Sequence, residues 1–159
     1  MEKYNNLVVL KSLTKILAVP GLRLGMLFAG REIISNMSLL KTPWSINHFA
    51  VKVGEDIKRF DEFIKKSALE ITTERKRFWN LLSDIKGLKV YNSGANYFLC
   101  RLDKKNDLDN LQFYLGSNKL LIRSCNNYPG LGKSFFRIAI KRQNENNLLV
   151  NFLSEYLNK

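Results

Sequence analysis

Residues 6–30, NLVVLKSLTKILAVPGLRLGMLFAG, combine two apolar runs with a polar turn and a proline–glycine break. The runs at 7–10 and 24–29 predict two strands, because short apolar runs bounded by turn residues are typical of buried strands. Between them lie the polar turn at 11–15 and the PGLR sequence at 20–23, which interrupts any regular element. The sequence therefore places hydroxyls, a lysine and an arginine between two strands.

Lysine in this setting has a specific chemical use. An amine that is desolvated, or that lies near another cation, loses its proton readily and attacks carbonyls. An aldehyde cofactor that carries a phosphate needs such an amine, one or two hydroxyls, and an arginine fork for the phosphate oxygens. The amine here is Lys15, and the other groups are Ser12, Thr14 and Arg23. We expect them to form one site.

The string S-L-T-K-x7-R-L-G, from Ser12 to Gly25, resembles the Schiff-base segment of pyridoxal-phosphate enzymes with the aspartate aminotransferase fold. Within that fold it is most similar to the branch of histidinol-phosphate aminotransferases and threonine-phosphate decarboxylases. The resemblance implies that Lys15 forms the imine with pyridoxal 5'-phosphate. It also implies that Ser12 and Arg23, with help from Thr14, hold the cofactor phosphate.

A second group of candidate residues lies near the C-terminal end, in LLIRSCNNYPGLGKSFFRIA at 120–139. Alternation in its last strand puts Arg137 in the middle of an apolar segment, where a guanidinium is costly unless it meets an acid. From the residues alone, that acid is an internal carboxylate or a ligand carboxylate, unless the face is exposed at a sheet edge.

The same tract resembles the C-terminal signature of threonine-phosphate decarboxylases. The resemblance implies that Arg137 holds the substrate carboxylate and that Arg123 lies beside it and contributes to substrate binding. Asn96, in Ala95-Asn96-Tyr97, matches a motif position near the substrate. A turn-exit asparagine that bonds backbone groups is the alternative for this residue.

Composition narrows the class of protein. The net charge of +12, from 26 Lys and Arg against 14 Asp and Glu, permits a nucleic-acid partner. The basic residues are dispersed, however, which favours solvated faces, so we predict no nucleic-acid partner. No run is long enough to span a bilayer, no secretory signal pattern is found, and the cysteines have no metal or redox spacing. We expect a cytoplasmic protein with no membrane partner and no metal.

Hydrophobic periodicity predicts alternating helices and strands. Thr42-Pro43 ends a helix over 31–40, and the P-W-S-x-N sequence at 43–47, which also resembles the branch named above, predicts a helix start with Ser45 as N-cap and a buried Trp44. The remaining predictions are a long amphipathic helix or two over 55–85, strands over 88–91 and 96–102, a polar loop over 103–106, a helix over 107–115 capped by Asp107, strands over 119–123 and 135–141, and a helix over 144–157.

This order argues for a mixed α/β unit, and the resemblance makes the fold class the C-terminal portion of a fold type I pyridoxal-phosphate-dependent transferase. Residues 1–55 are expected to be a remnant of the large-domain mixed sheet, and residues 56–159 the small α/β domain. The family's glycine-rich phosphate loop, stacking aromatic residue and ring-pairing aspartate are not located in the sequence. We therefore expect part of an enzyme that is a homodimer at full length.

The reaction implied by the resemblance is decarboxylation of L-threonine O-3-phosphate to (R)-1-amino-2-propanol O-2-phosphate, a step of cobalamin biosynthesis. The alternative is a histidinol-phosphate-type or other class I/II aminotransferase, and in both cases the substrate is a small phosphorylated amino compound. A rival from another class is a small basic nucleic-acid or scaffold module, whose binding would fall steeply with added salt. For this chain alone we expect weak cofactor binding and little or no turnover.

Overall fold

The computed structural model describes residues 4–103 and 107–158. The chain divides into two compact units, Met1–Ser67 (unit 1) and Ala68–Lys159 (unit 2). In chain order the elements are β1 (Val9–Ser12), α1 (Leu13–Ile16), a 3-10 turn (Pro20–Leu22), β2 (Gly25–Phe28), α2 (Arg31–Leu39), α3 (His48–Glu55), a second 3-10 turn (Ile57–Phe60), α4 (Asp61–Ser83), β3 (Leu88–Tyr91), β4 (Tyr97–Leu102), α5 (Leu108–Ser117), β5 (Arg123–Ser124), β6 (Phe135–Ala139) and α6 (Gln143–Leu157).

Unit 1 is built around an antiparallel ribbon of β1 and β2, in which Ser12 lies opposite Gly25. Both strands were predicted, but the expectation that the first apolar run is buried is wrong. Every residue of β1 is exposed, and Leu10 is 77% exposed. The physical reason is that a two-stranded ribbon has no further strands to cover its faces and edges. Among the described residues of unit 1, only Leu13, Thr14, Leu17 and Ala50 are buried.

The helix that follows residue 43 begins later than predicted. Asn47, not Ser45, is its N-cap, because the Asn47 side-chain oxygen accepts a hydrogen bond from the Ala50 backbone N–H at 2.9 Å. Trp44 has a φ of 61°, in the left-handed region, so it cannot belong to the helix. Its side chain is 99% exposed, so the prediction of a buried tryptophan is also wrong.

The long amphipathic segment is broken near its start. A 3-10 turn at Ile57–Phe60 separates α3 from α4, which then runs without interruption to Ser83 and contains the division between the two units. In this segment an apolar residue recurs every seven positions, at Ile57, Ile64, Ile71, Phe78 and Ile85. Of these, Phe78 is buried near the end of α4 and Ile85 just beyond it. The assignment of 1–55 to a large domain and 56–159 to a small domain stays a prediction.

Unit 2 is an antiparallel sheet with strand order β3-β4-β6-β5, packed against helices. Its core joins alternate residues of β4 and β6 to the apolar sides of α4, α5 and α6. The Asp107 cap of α5 is confirmed, because its carboxylate accepts from the Asp109 N–H at 3.0 Å. The predicted helix over 144–157 is confirmed as α6, in which Leu149 and Leu153 are buried and Leu148 is exposed.

Two predictions for unit 2 need correction or fall partly outside the structure. The strand expected over 119–123 is reduced to β5, because Lys119 has a φ of 61° and the Leu120 N–H bonds back to Leu115 O at the end of α5. Residues 104–106 of the predicted polar loop lie outside the described residues.

Candidate active site

Ser12 ends β1, and its hydroxyl lies 2.9 Å from that of Thr14, at the start of α1. Thr14 is buried, so one member of this hydroxyl pair is fixed by packing against the ribbon. The turn is held in place because the Leu13 N–H donates to Leu24 O of the neighbouring segment at 3.1 Å. The structure therefore brings the two hydroxyls together, and their role in holding a cofactor phosphate stays a prediction.

Arg23 lies beside the same groove as the hydroxyls of Ser12 and Thr14. It adopts a left-handed conformation with φ 52° at the end of the PGL turn, and its Nη1 donates to Pro20 O at 3.2 Å. No carboxylate pairs with it in the described part of the chain. Together with Lys11 and both hydroxyls, Arg23 lines this open groove of about 420 Å³.

Lys15 follows Thr14 on α1 with an exposed side chain. It is adjacent to the hydroxyl pair in sequence but is not among the residues that line the groove. Lys11, by contrast, lines it. The structure therefore brings together three of the four residues predicted for the cofactor and places the fourth on the same helical turn.

The donors of the groove fit a phosphate. A pair of hydroxyls and an arginine without an acidic partner are groups that donate to phosphate oxygens. Opposite Ser12, Gly25 carries no side chain into this edge of the ribbon, and a Cβ there would lie 3.4 Å from Lys11 O. The residues present are thus compatible with the phosphate end of pyridoxal phosphate.

Asn47 fixes the loop that carries Arg23. While its side-chain oxygen caps α3, its Nδ2 donates to Leu22 O at 3.0 Å, directly before the arginine. One side chain therefore links the P-W-S-x-N sequence to the P-G-L-R turn.

Replacement of Asn47 by alanine is expected to loosen both ends of this link. An N-cap lost to alanine costs about 1 kcal/mol, so the Ala50 amide should exchange with solvent about fivefold faster. Hydrogen-exchange NMR measures this directly. The matched control is Ser45→Ala, at the N-cap position predicted from sequence, which should leave Ala50 exchange unchanged. Equal effects of the two substitutions would contradict the cap assignment.

In unit 2, Arg137 and Arg123 lie directly opposite each other on the neighbouring strands β6 and β5. Arg123 is exposed and Arg137 half-buried, and neither forms an ion pair with a carboxylate among residues 4–103 and 107–158. Like charges directly opposite on a sheet destabilise it. The internal carboxylate considered for Arg137 is not found in the described residues, so both guanidinium groups lack an acidic partner there.

The surroundings of Arg137 are partly aromatic. Its guanidinium carbon lies 3.7 Å from the centroid of the Tyr97 ring, and its Nε is buried without a hydrogen-bond partner. Burial raises the pKa of the nearby Cys125 thiol, and the positive charges of Arg137 and Arg123 oppose that rise. The thiol therefore stays protonated beside the two cations.

Asn96 precedes β4. Its backbone carbonyl accepts from the Ile140 N–H at 2.9 Å, but its exposed side chain makes no hydrogen bond within the described part of the chain. The alternative role, in which the side chain bonds backbone groups, is therefore not observed. Arg75 holds the preceding turn, because its Nη1 lies 3.3 Å from both Gly94 O and Ala95 O.

No group of three or more metal-ligating side chains is found among the described residues. Both cysteines are free and buried, and burial raises the pKa of Cys100 to about 12. No helix in the described part of the chain is long and apolar enough to cross a membrane.

Comparison with known proteins identifies the family. The family model for aminotransferase class I and II matches residues 1–153. The chain belongs to the aminotransferase class I and II family. Its members are enzymes that depend on pyridoxal phosphate, so the predicted family and its cofactor are confirmed.

Relatives in this family include both predicted activities. The chain is 37% identical over 150 residues to the threonine-phosphate decarboxylase of Salmonella typhimurium, which covers 94% of this chain and 41% of that protein. It is 35% identical over 154 residues to the adenosylcobalamin biosynthesis bifunctional protein CobDQ of Leptospira interrogans, covering 96% and 18%. A solved structure, the histidinol-phosphate aminotransferase from Clostridium acetobutylicum, matches with 33% identity and a TM-score of 0.90, covering 99% and 47%.

The chain thus spans less than half the length of these class I and II relatives. The structural match confirms the predicted fold class, a portion of the fold type I architecture. The roles assigned to individual residues remain predictions.

Sequence reasoning missed two residues, Asn47, which bonds the turn before Arg23 in unit 1, and Tyr97, which contacts Arg137 in unit 2. Asn47 was within a quoted motif, and asparagine is itself a favoured N-cap residue, a signal that Ser45 two positions earlier obscured. Tyr97 gave no signal in sequence, because its contact with Arg137 depends on the β4–β6 register.

Proposed function

We propose that the protein to which this chain belongs decarboxylates L-threonine O-3-phosphate to (R)-1-amino-2-propanol O-2-phosphate with pyridoxal phosphate. The observation that carries the proposal is the pair of opposed arginines without an acidic partner, because this substrate has two anionic groups, a carboxylate and a phosphate. Histidinol phosphate has a phosphate but no carboxylate, so in the alternative reaction the arginine pair would meet carboxylates only on the 2-oxoglutarate co-substrate. The names of the Salmonella and Leptospira relatives support the same reaction.

In this proposal, the residues of unit 1 hold the cofactor. Lys15 binds its aldehyde covalently, and Ser12, Thr14 and Arg23 donate to its phosphate. When bound, pyridoxal phosphate supplies the electron sink for the reaction. The hydroxyls and the arginine fix the phosphate end, which limits rotation of the group that Lys15 holds.

The residues of unit 2 select the bond that breaks. Arg137 binds the substrate carboxylate, Arg123 contributes charge for the second anionic group, and Asn96 offers an exposed amide. The bond from Cα to the carboxylate breaks and carbon dioxide leaves with its two oxygens. Lys15, whose amine the substrate amine would by then have released, would supply from Nζ the proton that takes the place of carbon dioxide at Cα, where the electron pair of the broken bond remains.

An aminotransferase is the alternative, and the structural match to the Clostridium acetobutylicum enzyme is the observation that favours it. In that reaction the bond from Cα to hydrogen would break, and Lys15 would move the proton instead of supplying one to a decarboxylated centre.

We also propose that catalysis needs more polypeptide than this chain, in a cytoplasmic homodimer. Unit 1 exposes many large apolar side chains, which in soluble proteins mark surfaces that another polypeptide covers. They include Leu10, Leu39, Leu40, Trp44 and Phe49. Without that cover, the cofactor groove is open on one side, so we expect weak cofactor binding and little turnover by the isolated chain.

Chimeric enzymes test the reaction. The part of the Salmonella threonine-phosphate decarboxylase outside the match is joined to this chain, and a second chimera uses the corresponding part of the Clostridium acetobutylicum aminotransferase. Each is given L-threonine O-3-phosphate, and carbon dioxide release is measured. Each is then given histidinol phosphate with 2-oxoglutarate, and amino transfer is measured. If this chain selects the reaction, both chimeras decarboxylate.

Amino transfer by both chimeras, without decarboxylation, would establish the alternative. Activity that follows the donor of the other half would contradict the assignment of selectivity to Arg123 and Arg137. Robust turnover by the 159-residue chain alone would overturn the expectation that it is incomplete.

A further inference from the structure

The contact between Tyr97 and Arg137 has an unusual geometry for a sheet surface. Tyr97 pairs with Ala139, and Arg137 pairs with Leu99, so the two side chains are diagonal neighbours across β4 and β6. Diagonal neighbours come within reach only when both side chains are long or aromatic. The distance of 3.7 Å from the guanidinium carbon to the ring centroid corresponds to close stacking.

The stacking accounts for a half-buried cation that has no acid beside it. Arg137 Nε is buried and lacks a hydrogen-bond partner, and the described residues offer no carboxylate to the guanidinium. A ring face attracts a cation without accepting its N–H groups. The ring therefore stabilises the position of the group and leaves its terminal donors available.

We propose that Tyr97 is a positioning residue that holds the Arg137 guanidinium in the orientation that takes the substrate carboxylate. This inference rests on the proposed function, which assigns the carboxylate to Arg137. Without the ring, Arg123 would displace the Arg137 guanidinium, because like charges on directly opposite residues of neighbouring strands repel. Tyr97 counters this displacement, so its ring sets affinity for the carboxylate and not for the phosphate.

The test compares two probes that differ in the carboxylate. O-phospho-L-threonine carries both anionic groups, whereas phosphoethanolamine has the amine and phosphate alone. Binding of each to the 159-residue chain is followed by NMR of the arginine Nε–H groups, with the Arg137 signal assigned from its loss in Arg137→Lys. In the free protein, the Tyr97 ring should shift that signal, and Tyr97→Phe should keep the shift.

Tyr97→Leu is expected to lower affinity for O-phospho-L-threonine roughly fivefold, in line with the strength of a partly desolvated cation–π contact. Affinity for phosphoethanolamine should stay within about twofold of wild type, because the ring contacts only Arg137, and phosphoethanolamine has no carboxylate for Arg137 to bind. Tyr97→Met, which keeps side-chain length without a ring, should behave in the same way if the leucine variant does not fold. The control is Tyr91→Leu, which removes a tyrosine stacked on Phe135 with a centroid distance of 6.1 Å.

Three outcomes overturn the inference. The first is equal loss of affinity for both probes in the ringless variants, which indicates a structural role only. The second is unchanged affinity for O-phospho-L-threonine in those variants while Arg137→Gln weakens it. This outcome removes the role of Tyr97 but keeps the assignment of the carboxylate to Arg137. The third is no binding of O-phospho-L-threonine to the wild-type chain, or no effect of Arg137→Gln, which overturns the carboxylate assignment as well.

Discussion

Replacement of Lys15 by alanine should abolish the adduct that borohydride traps between this chain and pyridoxal phosphate, and replacement of Lys11 should leave it intact. Only a primary amine that has condensed with the aldehyde is fixed by reduction. The two lysines are a matched pair, because both are exposed and both lie near the hydroxyls of Ser12 and Thr14.

The two lysines differ in position. Lys11 lies on β1 and lines the groove with Arg23. Lys15 lies on α1, which follows β1 directly, and does not line the groove. Geometry in the isolated chain thus gives Lys11 a place beside the phosphate, while the motif gives Lys15 the covalent role. We expect the motif to prevail, since an amine that contacts the phosphate end of the cofactor cannot also reach its aldehyde.

The measurement is an absorption spectrum of the purified chain with pyridoxal phosphate before and after reduction, followed by mass analysis of the modified peptide. A visible band that reduction removes, with the label on Lys15, supports the site. A label on Lys11, or a band that persists in Lys15→Ala, would reassign the cofactor lysine. Because binding is expected to be weak, pyridoxal phosphate will also label other lysines. The variant in which both Lys11 and Lys15 are replaced by alanine measures that background.

The elements of unit 2 could be predicted from sequence because their signals are local. β6 alternates buried and half-buried residues along Phe135–Ala139, and this alternation alone placed Arg137 opposite the core-facing side. The Asp107 cap likewise depends only on a side chain and an N–H two residues away. Patterns of this kind depend on residues that are close in sequence, so they can be recognised without knowledge of the rest of the fold.

The failures have nonlocal or conformational causes. β1 was expected to be buried because apolar residues on both faces are typical of a central strand, but burial requires neighbouring strands that the described residues do not supply. Trp44 and Lys119 both adopt a positive φ, which no side-chain pattern announces for residues other than glycine. These two positions account for the late start of α3 and the short β5.

Sequence named the candidate site residues but not their arrangement, and their roles stay predictions. The residue types followed from motifs, while the opposition of Arg123 to Arg137 follows from pairing register, which one sequence does not reveal. The same is true of the Asn47 bond to Leu22, which spans 25 residues. Arrangement of this kind requires the fold.

The second large effect is expected at Asn146, a buried polar residue that joins three elements of unit 2. Its Nδ2 donates to Glu74 Oε1 of α4 at 2.8 Å and to Lys141 O at 2.9 Å, and its Oδ1 accepts from the Lys141 N–H at 3.0 Å. The side chain is 1% exposed. Asn146→Leu keeps the number and branching of the side-chain heavy atoms but leaves the Lys141 N–H and carbonyl without this partner and takes one donor from Glu74, which keeps Arg77. We expect this to cost about 3 kcal/mol of unfolding free energy.

Urea unfolding measures that loss, with Asn147→Leu as the matched control. Asn147 is the next residue of α6 and is exposed, so its substitution should change the unfolding free energy by less than about 0.5 kcal/mol. A loss at Asn146 no larger than that of the control would show that the hydrogen bonds contribute nothing net to stability.

The pH dependence of stability should also differ between Asn146→Leu and Asn147→Leu. The hydrogen bond from Arg77 lowers the pKa of the Glu74 carboxyl below its ordinary value of 4.5, burial opposes this, and Asn146 lowers it further. A group whose folded-state pKa is depressed stabilises the protein fully above its unfolded-state pKa, and this stabilisation is lost as pH falls through the folded-state pKa. Wild type and Asn147→Leu should therefore lose this stabilisation on acidification from neutral pH through and below 4.5. Asn146→Leu should lose less over the same range, because part of the depression is already gone. An acid dependence that is identical in all three proteins would mean that Asn146 does not hold the Glu74 carboxylate in solution.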